Sequence, residues 1–155
     1  MYTVAQEQRA LASLMLFEHA LLEEERDLRA SLGLGGNDIA VLRLVTDAEA
    51  EGHLLTPSDI ARTLGTSSAA TTAIVDRLAS AGHLTRSPNP NDRRSVVLTP
   101  TMSADSPARA ALDGSRRRRE TMVETLSPAE REALAAALTQ LAATLTAGQR
   151  RDVTS

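Results

Sequence analysis

The spacing of apolar positions changes along the chain, and each change marks an element. From about Thr3 to Leu32, Leu11, Leu14, Leu21, Leu28 and Leu32 recur at helical spacing, and Met15, Phe17 and Leu22 widen the stripe. The acidic run "EEERD" takes the other face, and Gly33, Gly35 and Gly36 end the helix. A helix this long in a small domain needs a partner surface beyond its own domain. Asn37 or Asp38 caps a second helix that buries Ile39, Val41, Leu42, Leu44 and Val45, fades through "DAEAEG" and stops at Gly52. "TPSDIARTLG" is a short third helix, with Thr56 as N-cap, Pro57 in the first turn, Asp59 answering at the third position and Gly65 as the stop. A fourth follows in "TSSAATTAIVDRLASAG", capped by Thr66 or Ser67, with Ile74, Val75 and Leu78 inward and Gly82 closing it.

After Gly82 the pattern turns to β-formers. "HLTRS" and "SVVLT" flank a turn with Pro88, Asn89, Pro90 and Asn91, which reads as a hairpin. Ser106-Pro107 opens a further helix that carries Arg116 to Arg119 and ends near Leu126. "SPAE", Ser127 to Glu130, is a capping box with proline at the first helical position. The last helix sets Leu134, Leu138, Leu141 and Leu145 on one stripe. The expected fold class is mostly α with one small β-hairpin.

Composition narrows this reading. A chain of 155 residues with 42% hydrophobic content suits one compact unit. Tyr2 and Phe17 are the only aromatics among Phe, Tyr and Trp, so the core is aliphatic, and the alanine and leucine content favours helix. All 17 basic residues are arginine, for which genomic base composition is as good an account as function. The lack of cysteine excludes disulfides and thiol chemistry. "LASLMLF" is too short for a membrane span and lacks the flanks of an export signal, so a soluble, cytoplasmic protein is expected.

Charge is uneven. Residues 1–55 hold 4 arginines and 10 acids, net −6; residues 56–99 hold 5 and 3, net +2; residues 100–155 hold 8 and 7, net +1. This hints at a polyanionic partner for the middle segment alone.

The chemistry sits in that middle. Two short helices separated by "LGTSS" form a helix-turn-helix, whose second helix offers Ser67, Ser68, Ala69, Thr71 and Thr72 at its start. Small hydroxyls meet phosphates or base edges, and threonine methyls pack on thymine. Small polar residues also begin helices that merely pack, so this unit alone does not decide. A hairpin directly after it is a wing. Arg93 and Arg94 give the wing positive charge suited to a minor groove, and Asp92 is expected to hold one guanidinium in a bidentate pair. The plain alternative is a solvated hairpin with an incidental ion pair.

The segment from Thr56 to Thr101 resembles the winged helix-turn-helix of the MarR family of bacterial transcriptional regulators. The matching features are Leu64-Gly65, Ser67, Thr72, "VDRL" at Val75 to Leu78, Gly82, Leu84, Arg86, and Asp92-x-Arg94 ahead of Leu98-Thr99. The resemblance implies a homodimeric, sequence-specific reader of double-stranded DNA, with residues 1–36 and 102–155 as dimerisation helices and 37–101 as the DNA-binding domain. It implies DNA contacts from Ser67, Ser68, Ala69, Thr71, Thr72, Arg77, Arg86, Arg93 and Arg94, with Asp92 orienting the wing arginine. Repression by covering a pseudo-palindromic promoter site, relieved by a small-molecule effector, follows from the same resemblance. By position, Met15, His19 and Arg43 would line the effector pocket; a regulator with no effector is an equal alternative.

Other features add little. Arg116 to Arg119 wrap round a helix, so the run suits flanking phosphate, a partner chain's acidic segment or, most simply, solvent. His19, His53 and His83 are scattered; His19 and Glu23 have i,i+4 spacing but no further ligand, so no metal or cofactor is expected. "GLGG" follows a helix rather than a strand and is no nucleotide loop. No nucleophile–base arrangement or paired-acid site points to an enzyme. The competing function is a winged-helix protein-interaction module using the acidic N-terminal surface.

Overall fold

Helix-forming periodicity dominates the chain, and the computed structural model realises it as six helices and one hairpin. It describes residues 3–103 and 105–152, the last seven by backbone alone. The elements are α1 (Val4–Leu32), α2 (Gly36–Ala50), α3 (Pro57–Leu64), α4 (Ser68–Ser80), β1 (Leu84–Asn89), β2 (Asp92–Pro100), α5 (Pro107–Glu124) and α6 (Pro128–Asp152). Two compact units divide the chain between Ser115 and Arg116.

The first unit is built round α2, α3 and α4. Val41, Leu42 and Val45 of α2, Ile60 of α3, and Ile74, Val75 and Leu78 of α4 form one buried cluster with Leu84, Leu98 and Leu112. Each such side chain contributes roughly 1.5–3 kcal/mol on leaving water, so this aliphatic cluster fixes the mutual angles of the three short helices. Local signals set the helix ends. Thr56 and Asp59 form a reciprocal box: the Thr56 hydroxyl and N–H both donate to Asp59 Oδ2 (2.7 and 3.0 Å), and Asp59 N–H donates to Thr56 Oγ1 (3.2 Å). These bonds hold the Asp59 carboxyl below its ordinary range. Gly65 takes the left-handed conformation (φ 64°) that turns the chain from α3 into α4.

Two boundaries differ from the expectation. Helix α2 starts earlier, with Gly35 as its cap, so Asp38 lies inside the first turn rather than capping it. The hairpin is also longer: its strands take in Pro88 on one side and Arg93 and Arg94 on the other. The antiparallel ladder runs from Leu84↔Pro100 to Pro88↔Val96 and then jumps to Asn89↔Asp92. Arg93, Arg94 and Ser95 therefore bulge from β2, unopposed in the ladder. Leu55, just ahead of α3, adds a one-residue bridge on Leu98, whose N–H donates to its carbonyl at 2.9 Å. The hairpin is thus anchored to the α2–α3 connection as well as to α4.

The second unit comprises the end of α5 and α6. Ser127 and Glu130 make the expected box: the Ser127 hydroxyl and N–H donate to Glu130 Oε2 (2.6 and 2.8 Å), which lowers the Glu130 pKa. Arg131 donates to the Val123 and Glu124 carbonyls (3.0 and 3.2 Å), satisfying the open end of α5.

Both terminal helices keep apolar side chains in water. On α1, Leu11, Met15 and Leu16 are 55%, 69% and 72% exposed, and Leu21 and Leu22 are also exposed. On α6, Leu134, Leu138, Leu141 and Leu145 are exposed too. No helix among the described residues is long and apolar enough to cross a membrane.

Candidate nucleic-acid interface

The exposed face of α4 follows from its inward one. Thr71, Ile74, Val75 and Leu78 are buried, which leaves Ser68, Ala69, Thr72, Ala73 and Asp76 as the outward stripe. Ser67 caps the helix by accepting from Ala70 N–H (3.2 Å), so its own hydroxyl proton stays available to a partner. Thr72 donates its hydroxyl to the Ser68 carbonyl (2.9 Å), which leaves its methyl and one acceptor lone pair for a ligand. The stripe is made mostly of small side chains.

Thr71 is placed elsewhere. It is 1% exposed, its hydroxyl donates to the Ser67 carbonyl (3.0 Å), and it lies 2.8 Å from the Thr66 hydroxyl. Helical periodicity puts it beside Ile74 and Val75, so it braces the turn between α3 and α4 instead of facing outward.

The wing tip carries its cations differently from the rest of residues 56–101. There, arginines meet acids: Arg62 with Asp59, Arg77 with Asp38 and Arg86 with Asp76. The guanidinium groups of Arg93 and Arg94 are exposed and have no ion-pair or hydrogen-bond partner among the described residues. Asp92 does not hold a guanidinium. Its Oδ1 accepts the backbone N–H of Arg94 at 3.0 Å. Asn89 Nδ2 donates to Ser95 Oγ (2.9 Å), Asn91 N–H donates to Asn89 Oδ1 (2.9 Å), and Ser95 Oγ donates to the Asp92 carbonyl (3.2 Å). Short polar side chains thus satisfy backbone groups that the bulge takes out of the ladder. Asp92 thus fixes the backbone at Arg94, because a carboxylate two residues away reaches the main chain before the long side chain.

Arg86 and Arg77 are engaged within the fold. Arg86 pairs with Asp76 at 2.6 Å and ties β1 to the outward face of α4. Arg77 lies at the flank of the stripe and donates Nη2 to Asp38 Oδ1 (2.5 Å) and Nε to Asp38 Oδ2 (3.3 Å), which raises its pKa further. Neither Asp38, named only as a helix cap, nor Asp76, named only within the "VDRL" match, was read from sequence as the partner of an arginine. Asp76 had a usable signal, since it lies one turn beyond Thr72 on the same stripe. Asp38 had none, because its partner is 39 residues away.

The three residues expected to line an effector pocket do not converge. Met15 and His19 share an open apolar surface with Ala12, Leu16 and Leu22, all on α1. Arg43 lies apart, bound to Glu24 (3.6 Å) and the Ser115 hydroxyl (3.3 Å). His19 faces Glu23 at 3.7 Å.

The chain resembles known proteins over the same region. A family model described as MarR family matches residues 32–95. The HTH-type transcriptional regulator YfiV of Bacillus subtilis is 38% identical over 77 residues, which are 50% of this chain and 48% of the relative, so the match spans about half the length of each. By structure, Streptococcus pneumoniae FabT in complex with DNA covers 90% of this chain and 97% of its own, with a TM-score of 0.62 and 23% identity. An S. aureus MepR mutant bound to an oligodeoxyribonucleotide covers 94% and 99%, with a TM-score of 0.52 and 20% identity. At these identities the structural matches establish the fold, which is the winged-helix plan of six helices and a hairpin.

Proposed function

We propose that this chain, whose residues 32–95 belong to the MarR family, is a homodimeric, non-enzymatic transcriptional regulator that reads double-stranded DNA. Helix α4 enters the major groove with Ser67, Ser68, Ala69 and Thr72, and the wing lays Arg93 and Arg94 on the minor groove or its phosphates. The observation that carries this reading is the contrast in charge. A segment, residues 56–101, that pairs its other three arginines with acids leaves two adjacent ones unpaired on a braced bulge next to a small-residue helix face. Such groups await an external anion.

The finer reading extends that picture. Residues 1–36 and 102–155 pair two copies, and residues 37–101 bind DNA. The exposed leucines of α1 and α6 are what the pairing covers. Two recognition helices then read half-sites about one helical turn apart, and the dimer represses by covering a promoter. An effector that favours another spacing of the two helices releases it. The protein works in the cytoplasm, where its DNA is.

Selection from random duplex DNA, followed by binding across a salt series, tests this. The expected winner is two-fold symmetric. Arg93→Ala with Arg94→Ala should lower the slope of log affinity against log salt by about 2, since each phosphate contact adds about 0.9. No enrichment above random sequence, or an unchanged slope in the double variant, would turn the reading toward a protein-interaction module.

A further inference from the structure

Asp38 is the charged side chain that the first unit buries most deeply among its described residues, being 6% exposed overall and 9% in its side chain. Buried carboxylates are costly unless fully partnered. Asp38 lies in the first turn of α2, whose helix dipole favours an anion, and both its oxygens bind one guanidinium, that of Arg77 on α4. Arg77 is held by Nε and Nη2 only. Its Nη1 has no partner among the described residues, and its side chain is 57% exposed.

We propose that Asp38 is a positioning residue for DNA binding: it holds the Arg77 guanidinium at the flank of α4 as a fixed donor to a backbone phosphate. The inference rests on the DNA-reading function proposed above. Its geometry follows from the helix. Arg77 is about 100° round from Asp76, off the centre of the outward stripe. The centre of a groove-entering helix faces base edges, and its flank faces the phosphate walls. An arginine there usually samples many rotamers. Gripped side-on by a buried carboxylate, it presents its remaining N–H groups in one direction, and the pair locks the start of α2 to the recognition helix.

The sign of one substitution separates this role from simple electrostatics. Asp38 carries negative charge close to the proposed DNA surface, so removing that charge should by itself tighten DNA binding. Positioning demands the reverse. Asp38→Asn, which keeps the volume and one acceptor, is expected to weaken binding to the selected duplex about five- to tenfold and to lower the salt slope by up to about 0.9. In an Arg77→Gln background, Asp38→Asn should cost nothing further. Unchanged or tighter binding by Asp38→Asn overturns the proposal, as does an equal loss with and without Arg77. If Asp38→Asn fails to fold, Arg77→Lys decides: lysine keeps the charge without the two-pronged grip, so a several-fold loss in a folded protein supports the proposal and wild-type affinity sinks it. A wild-type chain that enriches no duplex removes the DNA-reading function itself, and this proposal falls with it.

Discussion

At the scale of single residues, several polar side chains of the helix-turn-helix and wing serve the backbone. Thr56 is an example: its hydroxyl caps α3 while its donors hold Asp59. Thr56→Ala should destabilise the fold by about 1 kcal/mol at neutral pH, read from denaturant midpoints. The acid dependence has a definite sign. The Asp59 pKa is lowered from 3.8 by the Thr56 bonds, so its contribution is complete above that value and lost as pH falls through the folded-state value. The gap between wild type and Thr56→Ala should therefore be narrower at pH 3 than at pH 7; an equal gap would show that Asp59 adds nothing through this box. Thr56, Pro57, Asp59 and Gly65 were all legible in sequence, because capping is decided within four residues. Thr71 was legible too but misread: it lies three and four residues before Ile74 and Val75, so periodicity puts it inward, while its polar side chain had suggested an outward contact.

At the scale of elements, the wing shows a turn that holds two arginines out in solvent. Its proline and asparagine signals gave a hairpin, but the bulge that frees Arg93 and Arg94 depends on a three-residue jump in register that sequence alternation does not encode. Asp92 supports that bulge through the Arg94 N–H. Asp92→Ala should thus weaken DNA binding although both arginines remain, while changing global stability by no more than about 0.5 kcal/mol, as for other surface sites. Titration of the selected duplex and thermal melting measure the two effects. A variant with full affinity would show that the arginines need no brace.

At the scale of the molecule, the quantity that matters is exposed apolar surface. Single exposed leucines need no explanation, but each of two long helices repeats them along its length, as helices that pair with a partner do. The proposed dimer predicts that wild type sediments as two copies at micromolar concentration. Leu138→Glu with Leu141→Glu should give a helical monomer that has lost tight DNA binding, because one half-site supplies only half the contacts. Sedimentation and far-UV circular dichroism together check this, and a wild-type monomer would contradict it.

The sequence by itself determined the six helices, the hairpin, their order and most of their ends, because periodicity and capping act over a few residues. The "LGTSS" turn and the arginines of the wing were visible for the same reason. Only the tertiary structure decided which arginines meet an acid within the fold and which do not. Arg77 meets Asp38 across 39 residues, Arg86 meets Asp76, and Leu98 meets Leu55 across 43. Such pairings depend on how helices pack, and packing is set by the whole aliphatic core at once. A local pattern can show that a side chain is charged, but the partner that neutralises it is chosen in three dimensions.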